Sequence, residues 1–237
     1  LVPMTFTATQ ESNAETRSAL NGSSVDWQAG DEISVFDGTG AGCNHQFSLT
    51  GDASSGKFSG IASSDATKFT AVYPYTEGAT LNDDGTVSNI VLPDEQNAVA
   101  GGFDPKAALM IAKSETTTLT FKNAVGFIKV TPQFNCKKII LRAANKTQPL
   151  AGKGTIKFDD SDYPYIDFTD SKELSYFITL SGTITSGNAY YIAVPAVTLS
   201  ENWTLTFVTE NKNYMRQVTK PITFVRSQAL NLGEFTT

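Results

Sequence analysis

Short runs in which apolar and polar residues alternate recur along the whole chain. A period of two places alternate side chains on one face, which is the signature of a half-buried β-strand. In the first half this pattern predicts strands at residues 4–9, 33–36, 46–49, 69–73, 90–92, 109–112 and 119–121. In the second half it predicts strands at residues 126–131, 138–143, 154–158, 165–168, 175–180, 190–194, 204–209, 214–218 and 222–225.

Glycine, asparagine and aspartate separate these strands, at positions where a left-handed backbone costs little. The clearest hairpin joins residues 204–209 to residues 214–218 through a polar turn at 210–213. So many short strands exceed one ordinary sheet and are typical of sandwiches with Greek-key or meander connections. We therefore predict an all-β protein with two sandwich domains, residues 1–116 and 117–237, that meet near the polar stretch 113–118.

Composition and charge narrow the class of protein. Hydrophobic residues make up 40% of the 237 residues and charged ones 18%, so the chain is too apolar to be disordered. The formal net charge of −6 opposes the basic surface that phosphate neutralisation requires, and nucleic acid is excluded as a partner. No apolar run approaches the roughly 20 residues that a membrane-spanning helix needs.

Candidate chemistry is sparse. The chain has one histidine, His45, so any Ser-His-Asp or Cys-His mechanism has to use it. Cys43 is two residues away and would share its face on a strand, but two ligands do not make a zinc site. We therefore predict no enzyme activity and no cofactor. Whether Cys43 pairs with Cys136 in a disulfide stays open at this point, because spacing does not decide it.

Two acidic clusters, at residues 82–85 and 159–162, invite a comparison with calcium loops and glycosidases. A calcium loop needs more oxygen ligands at a fixed spacing, and a glycosidase needs two carboxylates across a cleft. Aspartate and asparagine also favour turns for backbone reasons alone. We interpret both clusters as turns and predict no metal site.

Large aromatic residues offer an alternative function. A set of them could form a platform on which sugars stack, as in a surface carbohydrate-binding sandwich of the lectin kind, although burial in the core explains most aromatics in β-proteins. The members of the set are Trp27, Tyr73, Tyr75, Tyr163, Tyr165 and Trp203. We expect Trp27 itself to be largely buried, because it precedes the turn at residues 30–31 and needs no sugar-binding role to explain it.

A family resemblance narrows the function further. Residues 27–36 read W-x-x-G-D-x-I-x-V-F, and this run resembles the opening motif of Bacteroidetes fimbrillin-like (Mfa-like, FimA-type) proteins, the type V pilins. Further segments that resemble the family continue to the end of the chain, at residues 71–75, 108–112, 119–130, 150–152, 190–195 and 229–233.

The resemblance implies two tandem transthyretin-like Greek-key sandwiches, exported as a lipoprotein precursor and displayed at the outer membrane. It implies a structural subunit of a surface pilus, or fimbria, that acts in cell adhesion. Its partners would be other pilin subunits, and host or bacterial surface glycans or proteins. Contact with the membrane would run only through a lipid anchor on the precursor. Only residues 234–237 follow the closing motif, which favours a tip or accessory subunit over a stalk subunit.

In the family, an arginine-specific protease removes the N-terminal strand, and a strand of the next subunit fills the groove. The corresponding candidate here is Arg17, the only arginine in the first 141 residues, in a polar segment after the predicted strand 4–9. The alternative is a solvated surface arginine without a processing role, because loops commonly carry one. The displaced strand would carry Met4, Phe6 and Ala8 on one face. Cutting after Arg17 is expected to release it and to expose two strand edges.

Overall fold

The computed structural model describes residues 1–11 and 27–237. Of these residues, 54% lie in strands and 3% in helix, so the all-β prediction is confirmed. Among them no helix is long and apolar enough to cross a membrane.

The described part of the first half contributes ten strands. They are β1 (Val2–Gln10), β2 (Glu32–Phe36), β3 (Asn44–Leu49), β4 (Lys57–Ala62), β5 (Phe69–Tyr73), β6 (Thr80–Leu81), β7 (Val87–Leu92), β8 (Glu95–Asn97), β9 (Met110–Ser114) and β10 (Thr118–Asn123). Two single-turn 3-10 helices, Ala53–Ser55 and Pro105–Ala107, interrupt them.

The second half contributes twelve strands. They are β11 (Val125–Pro132), β12 (Cys136–Arg142), β13 (Ala151–Phe158), β14 (Pro164–Asp167), β15 (Leu174–Ser175), β16 (Phe177–Ile184), β17 (Tyr190–Pro195), β18 (Thr198–Leu199), β19 (Trp203–Val208), β20 (Asn213–Val218), β21 (Ile222–Thr223) and β22 (Ala229–Phe235).

Each predicted strand overlaps an observed one, and the hairpin predicted around residues 210–213 is confirmed as β19 and β20. The pattern missed β4, β6, β8, β18 and β22. Gly60 interrupts the alternation in β4, and Asn231 and Gly233 interrupt it in β22. These residue types weaken a strand pattern even where the strand forms.

Seven strands form a closed sheet in the order β1-β10-β9-β5-β2-β3-β4. All neighbours in it are antiparallel except β1 and β10, which are parallel. The sandwich predicted for the first half would have two separate sheets. Instead, the hydrogen-bonded ladder closes on itself and leaves no free edge. The core inside it is rich in aromatic residues, with Phe6, Phe36, Phe47, Phe58 and Phe121 all fully buried.

Strands of the second half, together with β8, form a sandwich of two sheets, whereas β13 and β14 lie in another sheet with β7 and β6, and β18 pairs with β21. The sheet β17-β11-β22 faces the sheet β20-β19-β12-β16-β8, and one apolar cluster fills the space between them. Ile128 and Ile192 enter that cluster from the first sheet, and Ile139, Leu180 and Phe207 enter it from the second. The tandem Greek-key arrangement itself stays a prediction.

The two halves are joined by strand pairing. β10 follows the predicted boundary between residues 116 and 117 yet lies in the closed sheet. β7 and β8 precede the boundary yet pair with β13 and β16. The division at this boundary stays a prediction, because pairing across it does not itself define domains.

Gln96 of β8 connects the two halves by hydrogen bonds to the buried edge of β17. Its side chain is fully buried; its Oε1 accepts the N–H of Ala193 at 2.9 Å, and its Nε2 donates to the C=O of Ala193 at 2.9 Å. Ala193 lies in β17, whose only ladder partner in the described sheets is β11. One carboxamide thus satisfies both backbone groups that this edge residue would otherwise leave without partners.

Replacing Gln96 with alanine is expected to lower the free energy of unfolding by at least about 2 kcal/mol. The substitution leaves the buried N–H and C=O of Ala193 without hydrogen-bond partners. The neighbouring exposed substitution Glu95→Ala is the matched control and should change stability by less than about 0.5 kcal/mol. Urea denaturation of both variants measures this. Equal stability of the two variants would show that Gln96 contributes nothing to the edge.

Candidate interaction site

β1 closes the seven-stranded sheet, but it pairs with one neighbour at a time. Its first part, from Val2 to Thr7, is antiparallel to β4. Its last part, from Thr7 to Gln10, is parallel to β10. Only Thr7 belongs to both ladders. Each part of β1 can therefore leave by breaking one ladder, and its departure exposes one edge on β4 and another on β10.

The residues predicted to line the inner face of this strand do so. Phe6 is fully buried, Ala8 is 4% exposed, and Met4 is partly buried against the same core. The Phe6 ring stands edge-on to Phe47 and Phe69, with ring centroids 5.3 and 4.9 Å apart. Replacing a buried phenylalanine with alanine typically costs about 3–5 kcal/mol, so Phe6 anchors the strand.

Trp27 and Gly56 hold the middle of β1. Trp27 is 8% exposed, as predicted, and its indole N–H donates to the C=O of Ala8 at 3.3 Å. Ala8 in turn donates its N–H to the C=O of Gly56 at 2.7 Å. Gly56 has a φ of +57°, and a Cβ there would lie 2.3 Å from the Ala8 oxygen. Only glycine allows β1 to come this close.

The end of β1 is held by residues that the sequence did not indicate. The Glu11 carboxylate accepts the N–H of Asn123 at 2.9 Å and pairs with the guanidinium of Arg226. Arg226 also donates from Nε to the C=O of Asn123 at 2.8 Å. A contact between residues 215 positions apart leaves no local signal in a sequence.

Arg17, the predicted processing residue, lies outside the described residues. The strand that cleavage there would release is described in full up to Glu11.

The rival chemical site around His45 has a structural explanation. His45 Nε2 lies 2.8 Å from Asp37 Oδ2, and the same oxygen accepts the N–H of Ser63 at 2.7 Å. Cys43 Sγ donates to the C=O of Thr39 instead, at 3.4 Å. Asp37 therefore connects His45 of β3 to the residue that follows β4, and the cysteine has a separate partner.

The acidic clusters make turn contacts. Asp84 Oδ1 accepts both the N–H and the hydroxyl of Thr86, and Asp159 Oδ1 accepts the N–H groups of Ser161 and Tyr163. The hydrogen bonds from Thr86 lower the pKa of Asp84. Within residues 1–11 and 27–237, no group of three histidine, cysteine or acidic side chains could hold a metal ion.

The proposed aromatic platform is not assembled. Trp27, Tyr73 and Trp203 are each less than 10% exposed, so their ring faces are unavailable to a sugar. Tyr163 is 44% exposed, but the guanidinium of Arg226 lies 4.6 Å from its ring centre. A cleft of about 770 Å³ between loops at one end of the closed sheet is lined by none of the six aromatics.

Both cysteines are free thiols. Cys136 is 5% exposed, and burial raises the pKa of its thiol to about 11. Cys43 is only partly buried, in the loop that precedes β3. The two thiols therefore differ in access.

Solved structures share this fold. A candidate cell adhesion protein from Bacteroides uniformis matches 99% of this chain and 93% of its own, with a TM-score of 0.55 and 18% identity. A second, from Bacteroides ovatus, matches 99% of this chain and 92% of its own, with a TM-score of 0.57 and 13% identity. No protein-family model and no curated protein matches the sequence.

The chain has the fold of these Bacteroides proteins. The likeness is one of fold, and it agrees with the resemblance to fimbrillin-like proteins. The tip fimbrial protein Mfa3 from Porphyromonas gingivalis, with a C-terminal truncation, also matches, over 97% of this chain and 92% of its own at 11% identity. Its TM-score is 0.39.

Gly56→Ala and Gly51→Ala form a matched pair that tests the close approach of β1. Both glycines have positive φ, but only at Gly56 would a Cβ meet another atom. Gly51→Ala should cost about 1–2 kcal/mol of unfolding free energy through the backbone alone. Gly56→Ala should cost about 1–3 kcal/mol more, because the new methyl group overlaps the Ala8 carbonyl. Urea denaturation measures both, and equal losses would contradict the described packing.

Thiol labelling tests the difference between the cysteines. In the folded protein at about pH 8, a small alkylating reagent should modify Cys43 and spare Cys136, because the thiolate is the reactive form and a thiol of pKa near 11 is almost wholly protonated. Unfolding in urea should make both react. Peptide mass spectrometry identifies the modified residue, and rapid labelling of Cys136 in the folded protein would contradict its burial.

Proposed function

We propose that this chain is a structural subunit of a bacterial surface pilus, assembled by strand exchange at the β1 position and acting in cell adhesion. The observation that carries the proposal is the geometry of β1. This N-terminal strand completes the closed sheet and supplies the buried Phe6. It pairs first with β4 and then with β10 along its length.

Removal of β1 would leave a groove with a defined chemistry. Its two walls would be the unpaired edges of β4 and β10, and its floor would be the aromatic surface that Phe6 covers. An extended segment of another subunit could restore both ladders with its backbone and fill the floor with alternate side chains. Backbone pairing supplies affinity, and the side chains supply register.

The fold supports a non-enzymatic, surface role. The two Bacteroides proteins that share it are named for cell adhesion, not for catalysis. With this fold we propose export as a lipoprotein, display at the outer membrane, and tandem transthyretin-like domains. The partners we propose are other pilin subunits.

Arginine-specific proteolysis of the folded protein tests the proposal. The first cut should fall after Arg17, and the cut protein should then bind a fluorescent peptide with the sequence of residues 1–11. The Arg17→Ala variant should stay intact and bind none, and a peptide of the same composition in scrambled order is the second control. Fluorescence anisotropy and intact mass give the readouts. A protein that is cut at Arg17 but takes up no peptide would rule out strand exchange for this chain.

A further inference from the structure

The Glu11 side chain completes a ladder that its backbone does not. In a parallel pair, the residue opposite Lys122 donates to the C=O of residue 121 and accepts from the N–H of residue 123. Gln10 lies opposite Phe121, so Glu11 occupies that place. Its backbone N–H donates to the Phe121 C=O at 2.8 Å, but its carboxylate accepts the Asn123 N–H. The hydrogen bond from the Asn123 N–H to the carboxylate therefore forms in one register of β1 on β10.

Arg226 is held in position to receive that carboxylate. Its side chain is 14% exposed, its Nε is bonded to the Asn123 C=O, and its guanidinium lies over the Tyr163 ring. Glu11 is 16% exposed. If a strand without a carboxylate at this place replaced β1, the guanidinium would stay largely desolvated but lose its partner, and a buried charge without a partner is costly.

We propose that the Glu11 cluster, which consists of Glu11, Asn123 and Arg226, selects the strand that occupies the β1 position. The inference rests on the proposed function, and it names the partner's chemistry. The occupant is an extended segment with alternating apolar residues and a carboxylate three positions after the small residue that takes the place of Ala8. A segment without the carboxylate leaves Arg226 and the Asn123 N–H without that partner.

This required pattern of apolar residues and a carboxylate distinguishes between segments of this same chain. A second copy's β22 could offer Glu234 to Arg226, but this register would place Asn231 where Ala8 lies and Ala229 where Phe6 lies. A carboxamide would then enter the apolar core, and the pocket of Phe6 would hold only a methyl group. The β1 position therefore rejects β22 of a second copy and accepts a strand patterned like β1.

The first test uses the intact chain and needs no strand exchange. Hydrogen–deuterium exchange of the β1 amides is compared in the wild type, Glu11→Gln, Arg226→Ala and the double variant. Each single change should speed exchange of β1 roughly tenfold, since a hydrogen bond to a charged group contributes about one such factor. Amides of β12 and β16 should keep their rates, which separates local opening from global loss of stability.

The double variant and a matched control complete this test. The effect of Glu11→Gln should shrink when Arg226 is already alanine, because the two side chains act as a pair. Arg216→Ala is the control: Arg216 also donates to a backbone carbonyl, that of Thr236, but it does not contact β1. Unchanged β1 exchange in both single variants, or a Glu11→Gln effect of equal size in both backgrounds, would overturn the pairing.

The second test compares three peptides on the cut protein: residues 1–11, the same peptide with Glu11→Gln, and residues 227–237. The first should bind at least about tenfold more tightly than the second, and the third should bind most weakly. If the first two bind equally well, or if residues 227–237 bind as well as residues 1–11, the selection rule is wrong and strand exchange stands. If no peptide binds, strand exchange itself fails, and the intact-chain test alone decides what the Glu11 cluster does.

Discussion

The closed sheet depends on how one N-terminal strand is seated. β1 links β4 to β10, and without it the ladder of seven strands has two ends. The strand is held by a buried aromatic anchor at Phe6, by the close contact of Ala8 with Gly56 and Trp27, and by the ion pair at Glu11. Each contact acts on a different part of the strand. Together they fix how deeply β1 is buried, where it lies along its neighbours and in which register it pairs with them.

The second half of the molecule is stabilised by contacts that do not involve β1. The sandwich of the second half has a separate apolar cluster, to which β1 contributes no residue. Gln96 ties the two halves at the edge of β17, far along the chain from β1. A subunit that exchanges one strand has to stay folded meanwhile, and a second core with independent contacts meets that need. Among residues 1–11 and 27–237, only Arg226 couples the end of β1 to the second half directly through an ion pair.

Local patterns in the sequence predicted the local features. Alternation placed Met4, Phe6 and Ala8 on one face of a strand, and the residue type and turn context of Trp27 predicted its burial; the structure agrees on both. The contacts that position β1 were not predictable in the same way. Gly56 looks like any turn glycine until Ala8 lies beside it, and Glu11 and Arg226 look like solvated charges until the fold brings them together. Such contacts depend on pairing between distant strands, which no period in the sequence encodes.

Exchange of the N-terminal fragment between molecules is the most direct test of the central claim. Protein cut after Arg17 would be prepared with natural and with nitrogen-15-enriched isotopes, mixed, and followed by native mass spectrometry. The account predicts that heavy fragments appear on light bodies, while uncut protein shows no such mixing. Fragments that stay with their original bodies until the protein unfolds would contradict it.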